Sequence, residues 1–166
     1  MDSRTSILFA MLVVPILIGC RKSTQASGGM APTITNKERV TINYLAYAGA
    51  SPRRWDVVAL MGPSPAIPSN SLYLKRVIAL PGETLLLSPT GIVVNGAFVN
   101  MPSAVSNLYC PPDRLPYSAS MIRVSFPYVV PPKHYFVVGD NWTNSLDSRY
   151  YGAVHGTNII GRVVGK

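Results

Sequence analysis

Tyr73-Leu74-Lys75-Arg76-Val77-Ile78-Ala79-Leu80-Pro81-Gly82 is a run of β-formers closed by a Pro-Gly turn signal, and its reading sets the fold class. Side chains on a strand alternate between faces, so Lys75 shares one face with Tyr73 and Val77 while Arg76 points to the other. Two readings follow for that pair. It is a solvated patch on an edge strand, or Lys75 is buried among apolar neighbours, where desolvation lowers its pKa from the ordinary value of about 10.4 toward that of a usable base. Outward from this stretch, further strand-like runs occupy 40–47, 55–61, 84–87, 92–95 with 97–99, 121–126, 135–138 and 159–164. Asn95-Gly96 between two apolar runs predicts a type I′ hairpin, because both turn positions must take positive φ. Many short strands, turn signals between them and no internal repeat predict an all-β fold of barrel or sandwich type.

Composition points the same way: Gly 13 and Pro 15 in 166 residues, with only 13% charged, favour turns and strands over long helices. The length suits a single core, expected over 21–166, and Pro111, Pro112, Pro116, Pro127, Pro131 and Pro132 mark an insertion or lid at about 101–132. A formal net charge of +8 invites nucleic acid or an anionic surface as partner. The basic residues are scattered and accompany no nucleic-acid-binding module, so no nucleic acid is expected and a lipid bilayer is the more economical partner.

That bilayer has a counterpart at the N-terminus. Ile7-Leu8-Phe9-Ala10-Met11-Leu12-Val13-Val14-Pro15-Ile16-Leu17-Ile18-Gly19 is uncharged, flanked by Arg4 and by Arg21-Lys22. It is short for a spanning helix, which needs about 20 apolar residues, and suits a signal-peptide core of about 7–15. Residues 1–20 are therefore expected to form a short membrane-directed helix, as an uncleaved anchor or a signal segment, with an ordinary buried helix as the remaining reading. Leu17-Ile18-Gly19-Cys20 resembles a bacterial lipobox, which makes Cys20 a candidate for lipidation. Residues 21–26 read as a polar spacer. Cys110 reads as a lone thiol; His134 and His155 are far apart in a chain without a Cys-x-x-Cys pair, so no metal site is expected.

Two further motifs stand beside the strand at 73–82. They are Ser27-Gly28-Gly29-Met30-Ala31-Pro32-Thr33 and Gly139-Asp140-Asn141-Trp142-Thr143-Asn144-Ser145-Leu146-Asp147-Ser148-Arg149. Together the three stretches closely resemble bacterial signal peptidase I, a family of Ser/Lys endopeptidases. The resemblance covers nearly all of the chain after the apolar segment. It implies a membrane-bound serine endopeptidase, a hydrolase that removes signal peptides from exported preproteins, on the outer face of a bacterial cytoplasmic membrane. In that family a serine attacks, a neutral lysine takes its proton, and the acyl-enzyme is hydrolysed without metal or cofactor.

Residue by residue, the resemblance implies that Lys75 is the general base and that Ser145 orients it. It implies that Asp147 and Arg149 form a supporting ion pair with Asp140 nearby, that Ser27 and the Gly29 backbone form the oxyanion hole, and that Met30 and Pro32 contact substrate. The family's first motif is Ser-Gly-Ser-Met-x-Pro-Thr, with the second serine as nucleophile, and this chain carries Gly29 there. Were the segment extended, Ser27 would face the same way as residue 29 from roughly 6.5 Å away, too far for Lys75 to serve both. Trp142 stands where the family commonly has arginine, and Trp55 where glycine usually precedes the aspartate; each reads as an interfacial or a core side chain. Three functions remain open: a signal peptidase whose serine is missing in this copy, a pseudo-protease that grips signal peptides, and a lipid-anchored envelope protein reusing the fold.

Overall fold

The computed structural model describes residues 19–25, 27–63, 70–107, 109–110 and 124–166. The expected N-terminal helix, residues Leu17 and Ile18 of the lipobox-like sequence, and all of 111–123 within the expected insertion, with the first half of the strand expected at 121–126, lie outside the described residues. Among the described residues, eleven strands form two sheets. In order along the chain they are β1 (Cys20–Thr24), β2 (Arg39–Asn43), β3 (Val57–Met61), β4 (Leu72–Ala79), β5 (Thr84–Ser88), β6 (Gly91–Val94), β7 (Ala97–Phe98), β8 (Tyr128–Val129), β9 (His134–Val138), β10 (Val154–His155) and β11 (Ile159–Gly165). The larger sheet runs β1-β2-β11-β3-β4-β9-β10 and the smaller β7-β6-β5-β8, with every pairing antiparallel. The all-β expectation holds.

β4 is an interior strand of the larger sheet, flanked by β3 and β9. Its alternation feeds separate clusters: Leu74 packs with Met30, Ile34, Val40, Ile42 and Ala59, whereas Val77 packs with Val58, Leu60, Tyr135 and Val137. Past a register shift between Val77 and Ala79, Ile78 and Ala79 join Leu85, Ile92, Phe136 and Val138 in the core between the sheets. Such a strand, hydrogen-bonded on both edges and apolar on both faces, is a rigid base on which to fix a polar group. The β6–β7 hairpin turns at Asn95 (φ 50°) and Gly96 (φ 82°), the positive-φ pair that its Asn-Gly sequence predicts.

Three local expectations are corrected. Residues 21–24 are not a spacer but most of β1, which also takes in Cys20 and pairs in register with β2 from Cys20↔Asn43 to Thr24↔Arg39. The strand expected at 40–47 ends at Asn43, where the Asn43 side chain accepts from the Leu45 N–H at 2.9 Å and closes a turn. Residues 27–34 coil through turns, with Ala31 N–H donating to Gly28 O at 3.1 Å and Ile34 N–H to Met30 O at 2.9 Å, so the extended geometry assumed for Ser27 and Gly29 does not apply.

Candidate active site

Lys75 and Arg76 are both buried on β4, and a buried cation must find partners or lose its charge. Arg76 finds them: Nε and Nη2 donate to Asp140 at 2.8 and 2.6 Å, and Nη1 donates to Trp55 O at 2.8 Å. Lys75 is treated differently on the opposite face. Its Nζ donates to Ser145 Oγ at 2.9 Å, and no carboxylate among the described residues stands within ion-pair distance. Burial pushes the Lys75 amine below the ordinary lysine range; Asp147 and Asp140 pull it back, while Arg149 pushes with the burial. The amine is thus biased toward its neutral, proton-accepting form.

Ser145 is held in place by the loop after β9. Asp147, fully buried, accepts from Arg149 Nε and Nη2 at 2.7 Å each, from Arg149 N–H at 3.3 Å and from Gly139 N–H at 2.9 Å. Burial is the largest influence on Asp147 and opposes its charge, but Arg149, Lys75 and the Gly139 N–H together hold the carboxyl below its usual range; Asp147 in turn keeps the buried guanidinium charged. Arg149 also donates to Trp142 O at 2.8 Å and Ser145 O at 3.4 Å, and lies 4.6 Å over the Trp142 ring. One guanidinium thereby ties the start, middle and end of the loop. Gly139 is a steric necessity, since a Cβ there would collide with Ser145 and with Gly29 O.

The Ser27–Thr33 segment approaches this loop edge-on. Gly29 O accepts from Asn141 N–H at 3.1 Å, and Gly28 O from Asn141 Nδ2 at 3.3 Å. A Cβ placed on Gly29 would stand 3.5 Å from Lys75 Nζ, 3.7 Å from Ser145 Oγ and 3.4 Å from Asn144 O, all ordinary contacts. A cleft of about 250 Å³ opens here, lined by Ser27, Gly29, Lys75 and Ser145 with Pro63, Tyr73, Asn144, Leu146 and Tyr151.

Ser27, Gly29, Lys75 and Ser145 are therefore brought together on one cleft, with Asp147, Arg149 and Asp140 behind it. The Ser27 hydroxyl accepts from Gln25 Nε2 at 3.2 Å. Met30 and Pro32 are not among the described lining residues: Met30 is fully buried in the core beneath Leu74, and Pro32 is exposed. Trp142 is fully buried, so its interfacial reading fails, whereas Trp55 is half-buried against the core at φ 75°. That positive φ gives a physical reason for a glycine at this position. Sequence reasoning missed Tyr73, Tyr151 and Leu146 as walls, and Arg76 as the partner of Asp140; the Lys-Arg doublet on an apolar strand was the available signal for the last. His134 and His155, far apart in sequence, meet as a cross-strand pair with ring centroids 4.9 Å apart. Among the described residues no three metal-ligating side chains cluster, Cys20 and Cys110 are not disulfide-bonded, and no helix is long and apolar enough to cross a membrane.

A family model described as signal peptidase, peptidase S26 matches residues 3–165. Signal peptidase I of Leptolyngbya laminosa is 34% identical over 144 residues, covering 83% of this chain and 64% of that protein. Signal peptidase I V of Bacillus subtilis is 32% identical over 138 residues, 80% of this chain and 76% of that protein. The probable signal peptidase I-2 of Synechocystis is 30% identical over 139 residues, and only 57% of its length is covered. Of the Leptolyngbya and Synechocystis relatives, then, the chain spans less than two thirds. Among solved structures, a signal peptidase I from Enterococcus faecalis superposes with a TM-score of 0.52 at 30% identity, over 69% of this chain and 97% of that one.

Proposed function

Because the chain belongs to the signal peptidase family, peptidase S26, we propose that its cleft is a Ser/Lys peptide-bond-cleaving site whose attacking hydroxyl is missing at Gly29. One observation carries the reading: the position of a Cβ on Gly29, 3.5 Å from Lys75 Nζ, would put a serine Oγ within hydrogen-bond reach of the amine. With serine there, Lys75 takes the hydroxyl proton, and Oγ attacks the scissile carbonyl. The developing oxyanion is met by the residue 29 N–H and the Ser27 hydroxyl, and water releases the acyl group. Ser145 fixes the amine, and the Asp147–Arg149 clamp fixes Ser145. The substrates are exported preproteins with small residues before the cut, reached from a membrane-directed N-terminus on the outer face of the cytoplasmic membrane.

This chain is expected to show no appreciable cleavage, since glycine offers no nucleophile. Gly29→Ser is expected to give cleavage of a preprotein-derived peptide, and Gly29→Ser with Lys75→Ala to abolish it. Cleavage by the unaltered chain that Ser27→Ala removes would make Ser27 the nucleophile and overturn the reading. The pseudo-protease variant draws support from the intact Lys75–Ser145 contact; it requires that the unaltered chain bind the peptide as tightly as the Gly29→Ser form. The lipid-anchored variant requires diacylglycerol on Cys20, the first residue of β1.

A further inference from the structure

The environment of Lys75 has a chemical consequence that proton transfer does not use. Its Nζ is buried, lacks a carboxylate partner among the described residues, and contacts one hydroxyl, Ser145 Oγ, at 2.9 Å. On the cleft side the amine faces Gly29, where a Cβ would meet nothing closer than 3.4 Å. The glycine therefore leaves the place of a Cβ unfilled, open to a cleft of about 250 Å³. An amine that need not accept a proton from a neighbouring hydroxyl, and that has free space along its approach, is a nucleophile in its own right.

We propose that Lys75 is the nucleophilic group of this chain, and that the gap over Gly29 is a covalent site for small aliphatic aldehydes. The step balances within the site. Nζ forms a bond to the carbonyl carbon; one amine proton passes to the carbonyl oxygen through the Ser145 hydroxyl, giving a carbinolamine. Loss of that hydroxyl with the second amine proton, as water, leaves an imine. No oxidant or reductant enters until the experimenter adds one. The inference rests on the Gly29–Lys75–Ser145 geometry and does not require that signal peptides be the substrate.

The chain supplies its own controls. Of its five lysines, Lys22, Lys37, Lys133 and Lys166 are exposed and Lys75 alone is buried. A lysine amine free in water is neutral only about one part in 2,500 at pH 7, so selective reaction there marks an activated amine. The full chain, in mild detergent at pH 7, is treated with acetaldehyde and sodium cyanoborohydride, which reduces the imine to a stable ethyl amine, and each lysine is followed by peptide mass mapping. Lys75 is expected to be labelled at least tenfold faster than any of the four exposed lysines; a smaller ratio overturns the proposal. Gly29→Ala fills the gap with a methyl group at ordinary contact distances and offers no hydroxyl. It should slow Lys75 labelling threefold or more while leaving the exposed lysines unchanged, and a smaller effect would remove the gap from the argument. Gly29→Ser serves as a second blocking variant should the alanine form prove unstable. Peptide cleavage by Gly29→Ser with no selective labelling of the unaltered chain would overturn this inference while leaving the proposed function standing.

Discussion

Asp147→Asn is the perturbation from which the structure predicts the largest single loss. The side chain keeps its size but loses its charge, and one of its two acceptor oxygens becomes an amide donor aimed at groups that are themselves donors. Four hydrogen bonds now converge on the carboxylate, two from the Arg149 guanidinium at 2.7 Å, one from Arg149 N–H and one from Gly139 N–H. Both side chains of the pair are almost wholly buried, at 1% and 0% exposure, so water cannot substitute for the lost anion. Leaving one member of a buried pair unpaired costs about 3–5 kcal/mol, a large share of the roughly 5–15 kcal/mol that holds a domain folded. At about 2–4 °C per kcal/mol for a chain of this size, the midpoint should fall by roughly 6–20 °C. Urea and thermal unfolding followed by tryptophan fluorescence would measure it, because Trp142 lies against the same guanidinium. The pH dependence has a definite sign. The Asp147 pKa is depressed by folding, so its contribution is present above the unfolded-state value of about 3.9 and is lost as pH falls through the folded one. A loss below about 1 kcal/mol at pH 7, or one that is the same at pH 3, would refute the assignment of the clamp to charge.

Two other substitutions test the strand and the loop beside it. Trp55→Gly should change stability by less than about 1 kcal/mol, because relief of an aromatic residue held at φ 75° offsets the lost packing, whereas Trp55→Ala, which keeps much of the strain and loses the ring, should be clearly worse in the same unfolding assay. Lys75→Met should raise the unfolding midpoint at pH 7, because folding depresses the lysine pKa. The unfolded chain then binds more protons than the fold, and native stability rises with pH up to the unfolded value of about 10.4. The advantage of methionine should shrink as the assay moves from pH 7 to 10; a gain that does not depend on pH would mean that packing, not desolvation of the amine, is responsible.

The sequence made β4 legible because its apolar run, alternation and Pro-Gly ending agree, and it made the Lys75–Ser145 contact an expectation because each residue lies in a stretch that resembles the family's. Local chemistry also sufficed at Asn95-Gly96. It did not suffice at β1, where Arg21-Lys22-Ser23-Thr24 carries no apolar face; that strand exists because β2 offers an unpaired edge. β10 is two residues long, below any periodicity, and its pairing with β9 is what places His155 opposite His134. Met30 lies beside Gly29 in sequence but not in the cleft, because the turns of the segment direct that side chain into the core. Trp55 shows a different limit: tryptophan favours strands, and nothing in the residue itself announces a left-handed backbone.

Lys75 and Arg76 are neighbours on a strand whose two faces lead to opposite environments, one to the cleft and one to Asp140. Whether an amine or a guanidinium faces the cleft is consequently a matter of parity. Were β4 to slide by a single residue against β3 and β9, the composition of the sheet would be untouched, yet a guanidinium that stays charged at every physiological pH would enter the cleft and the tunable amine would be spent against a carboxylate. The register shift at Val77–Ala79 and the Trp55 backbone, whose N–H donates to Val77 O at 2.8 Å and whose carbonyl receives Arg76, act as stops against that slide. Insertions or deletions of one residue in the loops bordering β4 should therefore be more damaging to chemistry than insertions or deletions of two.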